Sequence, residues 1–185
     1  MAVEQGRVFI VDQSGSLHEV DVTQGTLKRS LKGRFATRPV FFGESLFLTD
    51  DAGRVKQVSR DFAKSITFDN RFRLNGALTS SAGKLIGVLK EGGVLSIDAN
   101  LQTKVLSQEL GPILKNATGE IWCLDQTRVA IELYGGTQLL MDVERGETLH
   151  AMRATTGAKS IPFVHDGRIV LACRDTHGAI EFYRD

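Results

Sequence analysis

Five glycines, Gly15, Gly53, Gly92, Gly136 and Gly178, punctuate the chain at intervals of 38, 39, 44 and 42 residues. Around each of them the same phrase returns: an apolar run, a tight turn, then a second run. A unit of about forty residues made only of short strand-like segments cannot bury its apolar side alone. It must stack on copies of itself, and this requirement limits the fold more than any other property of the sequence.

Each unit opens with a glycine, a polar residue and an apolar strand. The five openings are Gly6-Arg7-Val8-Phe9-Ile10-Val11, Gly43-Glu44-Ser45-Leu46-Phe47-Leu48, Gly83-Lys84-Leu85-Ile86, Gly119-Glu120-Ile121-Trp122 and Gly167-Arg168-Ile169-Val170. Continuous apolar runs of this length suit strands buried on both faces, and no segment carries a convincing helical rhythm. The turns Asp12 to Gly15, Asp50 to Gly53 and Asp175 to Gly178 place an aspartate ahead of the glycine. An Asp side chain bonds the backbone two residues on, and glycine supplies the positive φ of a hairpin. The acids of these turns lack any calcium-loop spacing, so they read as turn chemistry. Thr26 to Leu31, Lys104 to Leu106 and Glu147 to Met152 alternate in polarity and fit outer, half-exposed strands.

The only three prolines, Pro39, Pro112 and Pro162, read as openers of one equivalent strand, with Leu74 to Ser80 in that place in the third unit. Proline donates no ladder hydrogen bond and is tolerated at a strand's first residue. The long interval from Gly119 to Gly136 holds two strand-like segments. Arg128 to Tyr134 is either an addition or the regular strand of its unit. The expected fold is all-β: a β-propeller-type array of about four to five four-stranded antiparallel blades in one domain over 1–185. The first unit shows no leading proline-type strand and the last stops at Asp185 before an outer one, so the array is expected to be either a small ring that closes imperfectly or part of a larger propeller. Open blade edges then call for a protein partner or self-association.

Pro39 through Gly53 and Val58, and Gly15 through Asp21 and Gly25, together resemble the pyrroloquinoline-quinone-type (quinoprotein-like) repeat, a relative of the WD-repeat architecture. The resemblance covers nearly the whole chain and implies a propeller. It does not imply one activity, because such repeats serve many proteins. A tryptophan commonly closes each repeat of that family, whereas this chain has only Trp122. Docking between blades is therefore assigned to Phe9, Phe47, Phe163 and Phe182.

The chain's 185 residues carry 23 Lys and Arg against 22 Asp and Glu, a net charge of +1 that gives no general pull toward nucleic acid or anionic membranes. No stretch is apolar for long enough to cross a membrane as a helix, and the start lacks the layout of a secretory signal, which points to the cytoplasm. Cys123 and Cys173 sit in apolar runs and read as buried free thiols. His18, His150, His165 and His177 form no paired metal motif, and no nucleophile elbow, P-loop or dinucleotide fingerprint is present. No cofactor, metal site or catalytic residue is expected. One charge feature stands out: from Lys28 to Arg38 there are five cations and no acid. Lys28, Lys32, Arg34 and Arg38 are accordingly the candidate residues for docking an acidic partner, with protein favoured over nucleic acid. The expected function is a non-catalytic, protein-binding scaffold. The alternatives are a lactonase-like metal-dependent hydrolase or quinoprotein-type enzyme, and a set of blades completing a larger propeller.

Overall fold

The computed structural model describes residues 1–4, 6–68, 71–153, 160–174 and 180–184. Its strands form five antiparallel sheets, each built from consecutive segments of chain. The first sheet holds β1 (Ala2–Glu4), β2 (Arg7–Val11), β3 (Leu17–Asp21) and β4 (Thr26–Leu31). The second holds β5 (Val40–Phe42), β6 (Ser45–Thr49), β7 (Val55–Ser59) and β8 (Ser65–Thr67). The third holds β9 (Leu74–Ser81), β10 (Lys84–Leu89), β11 (Val94–Ile97) and β12 (Thr103–Leu106). The fourth holds β13 (Ala117–Cys123), β14 (Arg128–Leu133), β15 (Thr137–Asp142) and β16 (Glu147–Arg153). The last has three strands, β17 (Ser160–His165), β18 (Arg168–Arg174) and β19 (Ile180–Arg184). This is the meander of a propeller blade, repeated.

Consecutive sheets are held by four apolar layers, one per junction. Phe9, Leu17, Leu46 and Val58 fill the first, and Phe47, Val55, Leu85 and Ile97 the second. Ile86, Val94, Val129 and Met141 fill the third, and Ala130, Leu140, Ile169 and Leu171 the fourth. Each middle strand therefore contributes to two layers, one per face, which is why its apolar residues run without alternation. Aromatic docking follows the expectation at two points. Phe9 meets Phe41 edge-on at 5.1 Å, and Phe47 meets Phe42 and Phe68 at 6.1 Å each. Phe163 and Phe182 instead pair with each other, 6.3 Å apart, on the outer face of the last sheet and not between blades. Trp122 does the docking between the fourth and fifth sheets.

The structure corrects several expectations. The first unit does have a leading strand, the short β1 paired with β2. Arg128–Leu133 is the regular second strand of the fourth unit, while Gly119 to Trp122 lies inside its leading strand β13. Pro39 and Pro162 are in register, each preceding the residue (Val40, Phe163) that pairs with the equivalent second-strand residue (Phe47, Val170), but Pro112 is not. Pro39 precedes β5, Pro162 is the third residue of β17, and Pro112 lies in a short helical turn (α1, Gly111–Leu114). Proline suits each place for a different reason: β17 pairs only with β18 and so has a free edge, and a helix's first turn needs no proline N–H. Cys123 is exposed, although Cys173 is buried. Asp175 to Gly178, the fifth expected turn, lies outside the described residues. Among the described residues no apolar layer joins the first sheet to the last, and no closed ring forms.

Candidate functional site

Two inner strands carry the same irregularity. In β9 the four-residue step from Leu74 to Leu78 faces a two-residue step of β10, Leu89 to Gly87, and in β13 the four-residue step from Ala117 to Ile121 faces a two-residue step of β14, Leu133 to Ile131. Gly76 and Gly119 sit at the centres of these bulges with φ of 98° and 95°. The two strands touch there backbone to backbone: a Cβ on Gly76 would overlap the Gly119 carbonyl, and one on Gly119 would lie 2.6 Å from the Asn75 oxygen. Asn75 Nδ2 donates across the same junction to the Ala117 carbonyl at 2.6 Å. A bulge re-aims its side chains and frees ladder groups.

Arg38 uses what the second bulge frees. Its guanidinium donates to Glu120 Oε2 at 2.7 Å and to the Ile121 carbonyl, tying the segment before the second sheet to the inner strand of the fourth. Thr37, Arg38, Gly76, Ala77, Gly119 and Glu120, equivalent positions of three blades, line a cavity of about 260 Å³ on the axis of the array. Thr49 Oγ1 donates to the Gly76 carbonyl at 3.0 Å and to Thr37 at 3.1 Å. The Met1 ammonium lies beside this pair. Burial lowers its pKa and the Arg38 charge lowers it further, while Glu120 pulls the other way. The axial cluster is thus a satisfied structural knot.

A larger cavity of about 660 Å³ adjoins it, lined by Met1, the Asp12–Gly15 turn, residues 34–38 and Asp51. The linker from β4 to β5 is stitched down on both sides. Phe35 N–H donates to Gly15 O at 3.0 Å, Ala36 N–H to Thr49 O at 2.8 Å, and Asp51 N–H to Arg34 O at 3.0 Å. Buried Phe35 anchors this linker, leaving its neighbours Lys32 and Arg34 at the surface.

The run of five cations therefore does not act as one patch. Lys28 faces Asp21 at 3.5 Å and Gln24 at 2.7 Å on the outer strand. Arg29 meets the buried Glu19 at 2.8 Å, and Arg38 turns inward to Glu120. Arg34, 82 % exposed at its side chain, reaches Asp51 at 2.6 Å. Lys32 makes no ion pair among the described residues. The fold instead brings Lys32 and Arg34 together with Arg54 and Lys56 around a cavity of about 200 Å³. The last two were missed by sequence reasoning, because they lie on the next hairpin, some twenty residues on. Both pair with Asp50, Arg54 Nε at 2.7 Å and Lys56 Nζ at 3.5 Å. Burial raises the Asp50 pKa, but the Arg54 backbone and guanidinium hydrogen bonds, with both cationic charges, outweigh it and hold the carboxyl below its ordinary range.

One constellation has the composition of a nucleophile triad. His18 Nε2 meets Asp12 Oδ2 at 2.9 Å, and His18 Nδ1 meets Ser30 Oγ at 2.8 Å. The repeat shows what it does. Asp50 and Lys56 occupy the positions of Asp12 and His18 in the next blade, so a nitrogen base on the third strand holds the turn acid in both. Hydrogen bonds from His18, Ser14 and the Ser16 backbone keep the Asp12 carboxyl well below the usual carboxylate range. Among the described residues no group of three His, Cys, Asp or Glu side chains is placed to hold a metal ion.

Comparison with known proteins places the architecture. The chain matches BamB from Moraxella catarrhalis at 15% identity with a TM-score of 0.61, over 99% of this chain and 59% of that one. It matches the Swd1 β-propeller domain of Myceliophteria thermophila at 13% identity and TM-score 0.61, over 92% and 59%. It also matches the dihydro-heme d1 dehydrogenase NirN, solved in complex with DHE, at 13% identity and TM-score 0.65, over 97% and 42%. No family model and no curated protein matches the sequence. At these identities the likeness shows the fold alone: the chain is a β-propeller-type array that spans about three-fifths or less of these neighbours' own length.

Proposed function

We propose that the chain is a non-catalytic β-propeller module that binds an acidic surface of another protein at the linker rim. One observation carries this reading: Lys32, Arg34, Arg54 and Lys56 gather around one cavity and, among the described residues, are answered by only two carboxylates, Asp50 and Asp51, of which Asp50 is buried. The surplus positive charge of the rim draws an acidic partner and speeds the encounter at low salt. Arg54 and Lys56 are anchored on Asp50 and set the geometry. Lys32 and Arg34 stand free enough to exchange water or Asp51 for a partner carboxylate.

Crosslinking in the native host followed by purification tests this reading. It expects a partner whose crosslinks map to residues 32–34 and whose retention falls as salt rises. A chain that retains no partner but carries a bound divalent metal or a quinone absorbance, with hydrolase or dehydrogenase turnover, would favour the enzyme reading. The quinoprotein-like resemblance then becomes the guide to that chemistry. Blades that complete a larger propeller remain the second reading of the same fold, supported by the uncovered faces of the first and last sheets.

A further inference from the structure

We propose that copies of this chain associate head to tail, the uncovered face of the last sheet packing on the uncovered face of the first sheet of another copy. This goes beyond the rim reading and uses different surfaces.

The head is one row of side chains crossing all four strands of the first sheet. Val3 stands opposite Val8, Val8 opposite Val20 and Val20 opposite Leu27. In the second, third and fourth sheets the residues equivalent to Val8 are Leu46, Leu85 and Val129, and those equivalent to Val20 are Val58, Ile97 and Met141. All six are fully buried, because the preceding sheet covers them. In the first sheet nothing covers the row, so Val3 is 59% and Leu27 60% exposed. The first sheet thus keeps the apolar face of a blade that receives a predecessor.

The tail has the complementary character. In the last sheet Ile161 stands opposite Ala172 and Ala172 opposite Phe182. The same face carries Phe163 opposite Val170, whose equivalents in the second sheet, Val40 and Phe47, pack on the third sheet. Among the described residues no sheet packs on this face, and Ile161 is 56% and Phe182 64% exposed. Four times within the chain a face of tail type closes on a face of head type. The uncovered faces of the first and last sheets form a fifth pair of the same two types.

Complementarity here comes from the repeat itself, and it selects a second copy over an unrelated partner. Each copy uses two different patches, so the contact is heterologous. Contiguous apolar rows of this kind are unusual on a monomer's surface.

Sedimentation velocity of the full chain over a micromolar concentration series tests the proposal, with Leu27→Asp as the head variant and Phe182→Asp as the tail variant. Both side chains are exposed, so the fold survives, as circular dichroism can verify. Should either variant lose its sheet signal, Val3→Asp and Ile161→Asp replace them. The wild type is expected to sediment above the monomer, and each variant alone to associate at least about tenfold more weakly, the size of effect expected for a central apolar anchor. Mixing the two variants should restore a heteromeric pair, because one retains an intact tail and the other an intact head. A wild type that stays monomeric throughout would overturn the proposal. So would a mixture that fails to pair while one variant still self-associates, since that pattern marks head-to-head or tail-to-tail contact. Rim variants at Lys32 and Arg34 leave sedimentation unchanged, which separates failure here from failure of the rim reading.

Discussion

Gly76 shows how much of this molecule rests on single residues. Its positive φ and its contact with the Gly119 backbone leave no room for a side chain. Gly76→Ala is expected to cost more than about 2 kcal/mol, combining backbone strain with displacement of an inner strand. Gly43→Ala, at φ 55° but in open space, should cost about 1 kcal/mol. Urea unfolding midpoints of the two variants check the difference. Asp50 makes a second single-residue case. Its folded pKa is lowered, so its contribution is present above the ordinary carboxylate pKa and is lost as pH falls through the folded value. Asp50→Asn should therefore lower stability at neutral pH and flatten the loss between pH of about 5 and strongly acid conditions. Unfolding curves of both proteins across that window test it, and parallel curves would contradict the assignment.

At the scale of elements, the stack depends on residues that serve a layer between two sheets. Phe47 faces the third sheet within the second layer, so Phe47→Ala should cost about 3–5 kcal/mol. Tyr134→Ala, on a residue 73% exposed, should stay within about 0.5 kcal/mol. Thermal or urea denaturation distinguishes the two. The repeat made the second and third strands of each blade readable, because glycine turns and unbroken apolar runs are local signals. The leading strands were harder. Gly119-Glu120-Ile121-Trp122 imitates a unit opener, and only the pairing of Ile121 with Ile131 reveals it as a bulged inner strand. Three-residue β1 was missed because nothing in Ala2-Val3-Glu4 marks a strand until Val8 and Phe9 pair with it. Pro112 misled for a related reason: a two-turn helical insertion, Gln108–Leu110 followed by α1, displaces it from the strand it resembled opening.

For the whole molecule, charge is redistributed by folding. The basic run looked like a patch because its acids lie outside it: Glu19 and Asp21 on the preceding strand, Asp51 on the next hairpin and Glu120 in the fourth sheet, three other segments. Of the four candidates only Lys32 and Arg34 remain at the rim, joined by Arg54 and Lys56 across the linker. No sequence spacing could have shown that gathering, since it depends on Phe35 pinning the linker to two hairpins. The architecture was legible, the interaction surface only in part. The most direct test of the account is a salt titration of partner binding by the wild type, by the Lys32→Glu/Arg34→Glu double variant and by Lys28→Glu. Affinity should fall with salt for the wild type, drop by at least about tenfold in the double variant, and stay nearly unchanged in Lys28→Glu, as expected for fully engaged rather than peripheral charges. Binding that ignores both the salt and the double reversal would contradict it.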